Sequence, residues 1–212
     1  MTLAFAPYKA EAASLMNSGN NPTSGNLVLD GVFGDIILQQ SVNNFGNFSA
    51  RTVIFDTSTS HDLTIASSYT VSALGAFVID IQGGDPSTNS DLTVENGANI
   101  QGPVLIGGAF HELINNGIME GVGSSGEAII VASENTSIVN NGLIRVAAGP
   151  SISFNGSSGT NTITNYGIIN RNIDATMTSS IEIINLFSGN VFGNINLGQE
   201  NADTVVIGSS AA

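Results

Sequence analysis

The chain contains no cysteine, which excludes disulfides, thiolate metal sites and cysteine nucleophiles together. Positive charge is also scarce, since 4 Lys and Arg stand against 17 Asp and Glu, for a net charge of -13. So few cations cannot form the basic stripe that nucleic acid binding requires, and anionic membrane surfaces are disfavoured for the same reason. No run approaches the ~20 apolar residues of a spanning helix. We therefore expect neither nucleic acid binding nor membrane insertion.

The residues that are abundant indicate a folded protein with a polar but largely uncharged surface. Charged residues make up 10% of the 212 residues, hydrophobic residues make up 42%, and the mean hydropathy is +0.23. An ordinary protein carries about 25% charged residues. Asn, Ser, Thr and Gly take their place here, and a chain of this length can bury a substantial core. The acidity supports solubility and could attract divalent cations.

A repeat of about 25 residues runs through the second half of the chain. Four segments align on a glycine, with spacings of 25, 25 and 26 residues. The aligned glycines are Gly117, Gly142, Gly167 and Gly193. Asparagine stands two residues before the first three, at Asn115, Asn140 and Asn165. Apolar residues stand four before and two after the glycine, at Leu113, Ile138, Ile163, Met119, Ile144, Ile169 and Ile195. A repeat of this length indicates a solenoid.

The aligned positions differ by even numbers, so on a strand they share one face. Stacked coils would then contain apolar columns, a ladder of asparagine amides and a column of glycines. The glycine fits a corner that needs a positive φ or has no room for a Cβ, and a bend there explains why the alternation slips. A second apolar strand follows each motif, bounded by Gly/Ser/Asn-rich turns. Each coil therefore reads as strand, glycine corner, loop, second strand and turn.

The fold class predicted from this pattern is all-β, a parallel β-helix (β-solenoid) of about seven coils. Residues 1–25 form a predicted N-terminal capping segment, with a short amphipathic helix over residues 8–16 that covers the open end of the stack. Residues 26–212 form the predicted solenoid. Its repeats are irregular over residues 26–109 and regular over residues 110–207.

The pattern I/V-x-N-x-G-x-I followed by an apolar strand resembles the repeats of bacterial autotransporter passenger domains and related large surface adhesins. The segment from Gly193 to Ile207 is similar to a G-x-I-x-L-G-x-x-x-x-D-T tract that is often found in such passengers. The resemblance covers residues 110–207 well and residues 26–109 weakly. It implies a β-solenoid in an extracellular or cell-surface setting. Such solenoids include adhesins, surface layers and a minority of enzymes, so the resemblance specifies no activity.

No catalytic or cofactor-binding residue is predicted. The two histidines, His61 and His111, are expected in turns or on the surface, because no nucleophile motif accompanies them. The densest acidic cluster contains weak candidates for a calcium or glycan site. These candidates are Asp80, Asp85 and Asp91. The nonapeptide of calcium-binding rolls does not repeat here, and the aligned columns lack the rank of threonines that ice binding needs.

Glu120 and Arg145 both lie three residues after an aligned glycine, so they could pair across adjacent coils. Such a surface pair contributes about 0.5 kcal/mol and concerns structure rather than function.

The function that this sequence predicts is structural or adhesive, and non-enzymatic. A filament subunit, a surface-layer component and an adhesin module all fit a stack whose open ends another copy could extend, so a homo-oligomer or polymer is expected. The alternative is a carbohydrate-binding or carbohydrate-cleaving β-helix protein, with a surface glycan as partner and calcium as the one possible cofactor.

Overall fold

The computed structural model describes residues 62–73, 77–81, 90–122, 126–156, 158–198 and 202–208, together with five strand segments nearer the N-terminus. The described residues form β-strands and no helix. The strands are numbered β1 to β24 in chain order and belong to three parallel sheets, each running along the length of the molecule.

The first sheet has nine strands, stacked in the order in which they occur along the chain. They are β1 (Ala13–Ser14), β3 (Ile36–Leu38), β6 (Leu63–Ile65), β9 (Leu92–Val94), β12 (Glu112–Asn115), β15 (Ser137–Asn140), β18 (Thr160–Asn165), β21 (Ile181–Leu186) and β24 (Thr204–Ile207).

The second sheet has seven strands, each of which follows a strand of the first sheet along the chain. They are β4 (Val42–Asn44), β7 (Thr70–Ala73), β10 (Asn99–Gln101), β13 (Ile118–Gly121), β16 (Leu143–Val146), β19 (Ile168–Ile169) and β22 (Asn190–Val191).

The third sheet has eight strands and completes each coil. They are β2 (Leu27–Val28), β5 (Val53–Phe55), β8 (Ile79–Ile81), β11 (Val104–Ala109), β14 (Ile129–Glu134), β17 (Ile152–Asn155), β20 (Ile173–Met177) and β23 (Ile195–Asn196).

One turn of the solenoid contains three strands, one from each sheet, whereas the sequence predicted two strands per coil. The difference arises at the glycine, where the chain bends and the apolar residues after it begin a strand in another sheet. Strand β12, for example, ends at Asn115, and β13 begins at Ile118. The prediction of an all-β parallel solenoid is confirmed by this arrangement.

The core lies inside the three sheets and consists of stacked columns of aliphatic side chains. In the first sheet, each inward-facing residue of one coil pairs in register with the corresponding residue of the next coil. Members of this column are at most 1% exposed: Leu63, Leu92, Leu113, Ile138, Ile163 and Ile184. The corresponding columns of the other two sheets are equally buried except in the last coil, so apolar burial along the axis stabilises the stack.

From residue 90 onward, β9 to β23 form five successive turns of three strands. Before residue 62 the structure describes strand segments alone, so the count of about seven coils stays a prediction. The helix predicted over residues 8–16 lies mostly outside the described residues. Its two described residues, Ala13–Ser14, form a strand that pairs with Ile36–Ile37, and the helix prediction is wrong for them. So short a helix is marginal by itself, whereas a sheet edge offers backbone partners.

The last aligned glycine of the sequence occupies a different place in the structure. Gly189, not Gly193, stacks on Gly167, because Ile168 pairs with Asn190 and Ile169 pairs with Val191. Thr160 pairs with Ile181, a step of 21 residues, whereas Ser137 pairs with Thr162, a step of 25 residues, so the spacing of 25 is lost there. Gly193 lies instead at the next corner, with Arg171 and Asn172 against it. Ile195 accordingly belongs to β23 of the third sheet.

Candidate functional site

The three asparagines of the repeat form a hydrogen-bonded ladder inside the stack. Asn115 Nδ2 donates to Asn140 Oδ1 at 2.8 Å, and Asn140 Nδ2 donates to Asn165 Oδ1 at 2.7 Å. All three side chains are fully buried. The ladder satisfies polar groups that burial would otherwise penalise, so these amides are engaged in structure and cannot bind a ligand.

The corner glycines of the 25-residue repeat, Gly117, Gly142 and Gly167, are needed for space rather than for a special backbone conformation. A Cβ on Gly142 would lie 2.1 Å from the carbonyl oxygen of Gly117, and one on Gly167 would lie 2.1 Å from that of Gly142. None of these glycines has a positive φ. The two explanations that the sequence left open are therefore resolved in favour of close backbone approach.

Side chains also link neighbouring coils on the outside of the stack. Arg145 and Glu120 form an ion pair at 3.0 Å, which confirms the predicted pairing. Asn141 Nδ2 donates to Asn116 Oδ1 at 2.8 Å beside the glycine corner. Both contacts fix the register of adjacent coils and are exposed to solvent.

An open groove of about 470 Å³ follows the glycine corner across several coils. It is lined by the corner glycines, by Asn116 and Asn141, and by the aliphatic residues Ile118, Leu143 and Ile168. No lining residue carries a charge. A groove of this composition can offer hydrogen bonds and apolar contact to a neutral ligand, whereas it offers nothing to balance an ionic one.

The calcium candidates do not form a cluster in the described residues. Asp80 lies in β8 of the third sheet and is fully buried, whereas Asp91 directly precedes β9 of the first sheet. Asp91 Oδ1 accepts the backbone N–H of Glu112 at 2.8 Å, so this carboxylate links two coils. Asp85 lies outside the described residues. The described part of the chain holds no group of three or more His, Asp or Glu side chains that could hold a metal ion.

A second inward-facing column of the first sheet is polar, and the sequence reasoning missed it. Each member lies two residues before the apolar core residue of its strand. Residues at even spacing on a strand share a face, so this spacing could have revealed the polar column in the sequence. The column contains Ser90, His111, Thr136, Asn161, Glu182 and Asp203. All but Asp203 are buried. Thr136 N–H donates to Asn161 Oδ1 at 2.9 Å, so successive coils are joined along this column.

His111 belongs to this column; of the two predicted settings, a surface position is wrong, whereas the residue does directly follow the bend at Phe110. The side chain is 2% exposed, and its Nδ1 lies 2.9 Å from the carbonyl oxygen and 3.1 Å from the amide nitrogen of Ser90. The reason is its even spacing from Leu113, which turns both side chains towards the interior. His61, the other histidine, lies outside the described residues.

The polar column ends in two adjacent carboxyl groups. Glu182 N–H donates to Asp203 Oδ1 at 3.0 Å, and Ser180 Oγ donates to Glu182 Oε1. Glu182 Oε2 and Asp203 Oδ2 are buried and have no hydrogen-bond partner among the described residues. Burial raises the pKa of Glu182 from 4.5 to about 7, and the charge of Asp203 raises it as well, whereas the Ser180 hydroxyl lowers it.

The C-terminal end of the stack presents unpaired strand edges and apolar side chains. Strands β22, β23 and β24 are each the last of their sheet, so one edge of each has no partner strand among the described residues. In these coils Ile207 is 81% exposed, Phe192 is 70% exposed and Val206 is 41% exposed. Four further apolar residues of this end pack only partly against the core: Val191, Ile195, Leu197 and Val205.

Comparison of the chain with protein-family models, with curated proteins and with solved structures gave no match. Among the residues that the structure describes, no helix is long and apolar enough to cross a membrane. The description of this chain therefore rests on its own repeat and on the stack of parallel coils that the repeat forms.

Proposed function

We propose that this protein is an extracellular structural or adhesive β-solenoid that associates end to end with further copies of itself. The observation that supports the proposal is the C-terminal end of the stack, where the edges of β22, β23 and β24 meet exposed apolar side chains. Unpaired edges of parallel strands are templates for further strands. An edge that also carries exposed apolar residues gains from being covered.

The energetics favour an added coil over an isolated contact. A coil placed on this end would pair with three strand edges at once and would continue the apolar columns of the interior. Full burial of a side chain such as that of Ile207 or Phe192 contributes about 1.5–3 kcal/mol. A copy that offers its own first strands would meet these edges head to tail, and such a contact can repeat without closing.

The surface location is proposed from the sequence. The repeat resembles those of autotransporter passengers and large surface adhesins, and the surface is acidic with few cations. A non-enzymatic role is proposed for the same molecule, since the repeated residues that the structure describes are occupied in stacking contacts.

The test compares two lysine substitutions at side chains of nearly equal exposure. Ile207→Lys places a charge on the open end, and Met177→Lys places the same charge on β20, where the side chain is 76% exposed. We expect the wild-type protein to form oligomers that grow with concentration in sedimentation velocity. Ile207→Lys should weaken this association about tenfold or more, because the lost burial is worth about 1.5 kcal/mol.

Met177→Lys should associate like the wild type, because both variants change the net charge equally. A wild-type protein that stays monomeric at high concentration, with or without calcium, would contradict the proposal. Equal weakening by both lysines would assign the effect to charge rather than to the open end.

A second candidate function, binding of a neutral glycan, is favoured by the uncharged groove at the glycine corner. Sugar hydroxyls can bond with exposed amides such as that of Asn141, while sugar ring faces pack on aliphatic side chains such as that of Ile168. The test is calorimetric titration with short neutral β-glucan oligosaccharides. Asn141→Ala and Ile168→Ala should each weaken binding about tenfold, consistent with loss of one contact.

The matched control for the glycan is Val139→Ala, which truncates a partly exposed outward side chain of β15 away from the groove. This variant should bind the oligosaccharides like the wild type. If the wild-type titration shows no heat of binding, this candidate function is contradicted, and the association proposal is unaffected.

A further inference from the structure

We propose that Glu182 and Asp203 share a single proton and thereby form a latch that holds the last strand, β24, on the stack, and that loss of this proton releases β24. The inference goes beyond the proposed function, because it concerns the order of one strand within a single molecule. It arises from the position of two carboxyl groups between the last two strands of the first sheet.

The two residues lie side by side across the contact between β21 and β24. Ile183 pairs in register with Thr204, so the residues before them, Glu182 and Asp203, are neighbours. Glu182 N–H donates to Asp203 Oδ1 at 3.0 Å, and the second oxygen of Asp203 is buried. Glu182 is fully buried. The contact therefore places two acidic groups together in the interior.

Among the residues that the structure describes, no cation balances the pair. Asn161 faces Glu182 from β18, Asp203 faces it from β24, and Ser180 faces it from the preceding turn. The two described arginines are engaged elsewhere, since Arg145 pairs with Glu120 and Arg171 donates to the carbonyl oxygen of Ala147. Two carboxylates cannot both stay ionised at such a site, because burial and mutual repulsion disfavour the second charge.

A proton fits this site better than a metal ion does. Asn161 Oδ1 already accepts the N–H of Thr136, so the amide group left to face the acids is its Nδ2 donor. Calcium requires six to eight oxygen ligands, whereas two carboxyl oxygens are without a partner here. One proton between Glu182 Oε2 and Asp203 Oδ2 gives both oxygens a partner and leaves one negative charge on the pair.

Strand β24 pairs with β21 over its four residues, but few of its side chains are buried. Thr204, Val206 and Ile207 are exposed, and Val205 alone among the four residues packs partly against the core. Backbone bonds such as that from Gly208 N–H to Leu186 O, at 3.0 Å, are formed only while the strand is docked. Ionisation of the pair therefore weakens the docking of a strand that is held by backbone pairing and buries few side chains.

The direction of the pH effect follows from the raised pKa of Glu182, about 7 against an ordinary 4.5. Docked β24 keeps a proton that the released strand gives up, so docking is strongest at low pH and weakens as the pH rises through about 7. An open end that is ordered in acid and frayed in alkali would also make end-to-end association pH-dependent.

The test is hydrogen exchange in dilute protein, where association plays no part. The amide of Gly208 reports on β24, and the amide of Gly142, which donates to Asn115 O at 3.0 Å, reports on the middle of the stack. After correction for intrinsic rates, we expect Gly208 protection to fall about tenfold or more between pH 5.5 and pH 8.5. Protection of Gly142 should stay constant, which separates local release from general unfolding.

Two variants decide whether the carboxyl pair is the cause. Glu182→Gln keeps the shape without the charge, so Gly208 should stay protected at both pH values. The matched control is Glu134→Gln at an exposed glutamate, which should keep the wild-type pH dependence. Calcium added at pH 8.5 should leave Gly208 unprotected.

Equal wild-type protection at the two pH values would overturn the proposal, and so would a wild-type pH dependence in Glu182→Gln. Recovery of protection with calcium would overturn it in favour of a cation site. Each of these outcomes is independent of whether copies associate, so a failure here is distinct from a failure of the proposed function.

Discussion

Gly142 lacks a side chain because the backbone of the neighbouring coil occupies the space that a Cβ would need. The nearest atom to that position is a carbonyl oxygen of Gly117, which cannot rotate away as a side chain can. Stacked coils lie about 4.8 Å apart. Where the backbone of one corner lies directly over that of the next coil, no room is left for a Cβ. The glycine column is therefore a direct record of coil-on-coil packing.

We expect Gly142→Ala to lower the free energy of unfolding by about 3 kcal/mol, since overpacking against backbone must be relieved by movement of the coil. Urea denaturation followed by far-ultraviolet circular dichroism measures this change. The control is Gly107→Ala, whose Cβ would meet its nearest neighbour at an ordinary 3.5 Å. An equal loss of stability in both variants would show that the general effect of replacing glycine by alanine, rather than the corner contact, is responsible.

Glu182 shows how one buried residue makes stability depend on pH. Its pKa rises from 4.5 to about 7, so its full contribution is present below about pH 4.5 and is lost as the pH rises through 7. A rise of this size corresponds to about 3 kcal/mol between the protonated and the ionised forms. The cost falls on the contact between β21 and β24, where three of the four side chains of β24 are exposed.

At the scale of the elements, the asparagine ladder joins β12, β15 and β18 by side-chain hydrogen bonds that run along the axis. The same column is apolar on either side, with Val94 before Asn115 and Leu186 after Asn165. Amides therefore replace apolar fill only where three of them occur in succession. A single buried asparagine in this column would lack a matching neighbour and would be costly.

We expect Asn140→Ala to lower the free energy of unfolding by about 3 kcal/mol, because it removes two buried hydrogen bonds and deprives Asn115 and Asn165 of their common partner. The control is Asn141→Ala, which removes an exposed amide from the neighbouring position and should cost about 0.5 kcal/mol or less. Urea denaturation of both variants measures the difference. Similar losses would contradict a special role for the buried ladder.

At the scale of the whole molecule, the stack has a direction, because its two ends present different strands. Strands β22, β23 and β24 end the three sheets on one side, and β1, β2 and β4 end them on the other. Contact between unlike ends is heterologous and can continue into an open polymer. The net charge of -13 opposes the approach of two copies, so association depends on short-range contacts at the open end.

Much of the fold could be predicted from the sequence because stacking repeats the same environment in every coil. Leu113, Ile138 and Ile163 meet the same neighbours, so the same residue type recurs and becomes visible as a column. The last coil could not be aligned by this means. Its loop is shorter, and Gly193 matches the motif although Gly189 makes the contact.

The role of the polar column that ends in Glu182 and Asp203 could not be predicted from the sequence. The residues of the polar column are of different types, as His111 and Glu182 illustrate, so no motif connects them. Their common feature is an even spacing from the apolar core residue of the same strand. This spacing predicts that the side chain faces inward, but it does not predict what the side chain does. The acids that the sequence did single out, Asp80 and Asp91, are placed on different sheets.

The sequence by itself determined the class of fold, the apolar columns, the asparagine ladder and the corner glycines of the regular coils, because each arises from contacts that repeat at a fixed spacing. The tertiary structure alone decided the third strand of each coil, the register of the last coil, and the meeting of Glu182 with Asp203. These features depend on where a bend falls and on how many residues a corner contains. Composition and spacing do not encode either quantity, whereas the packing of one coil on the next does.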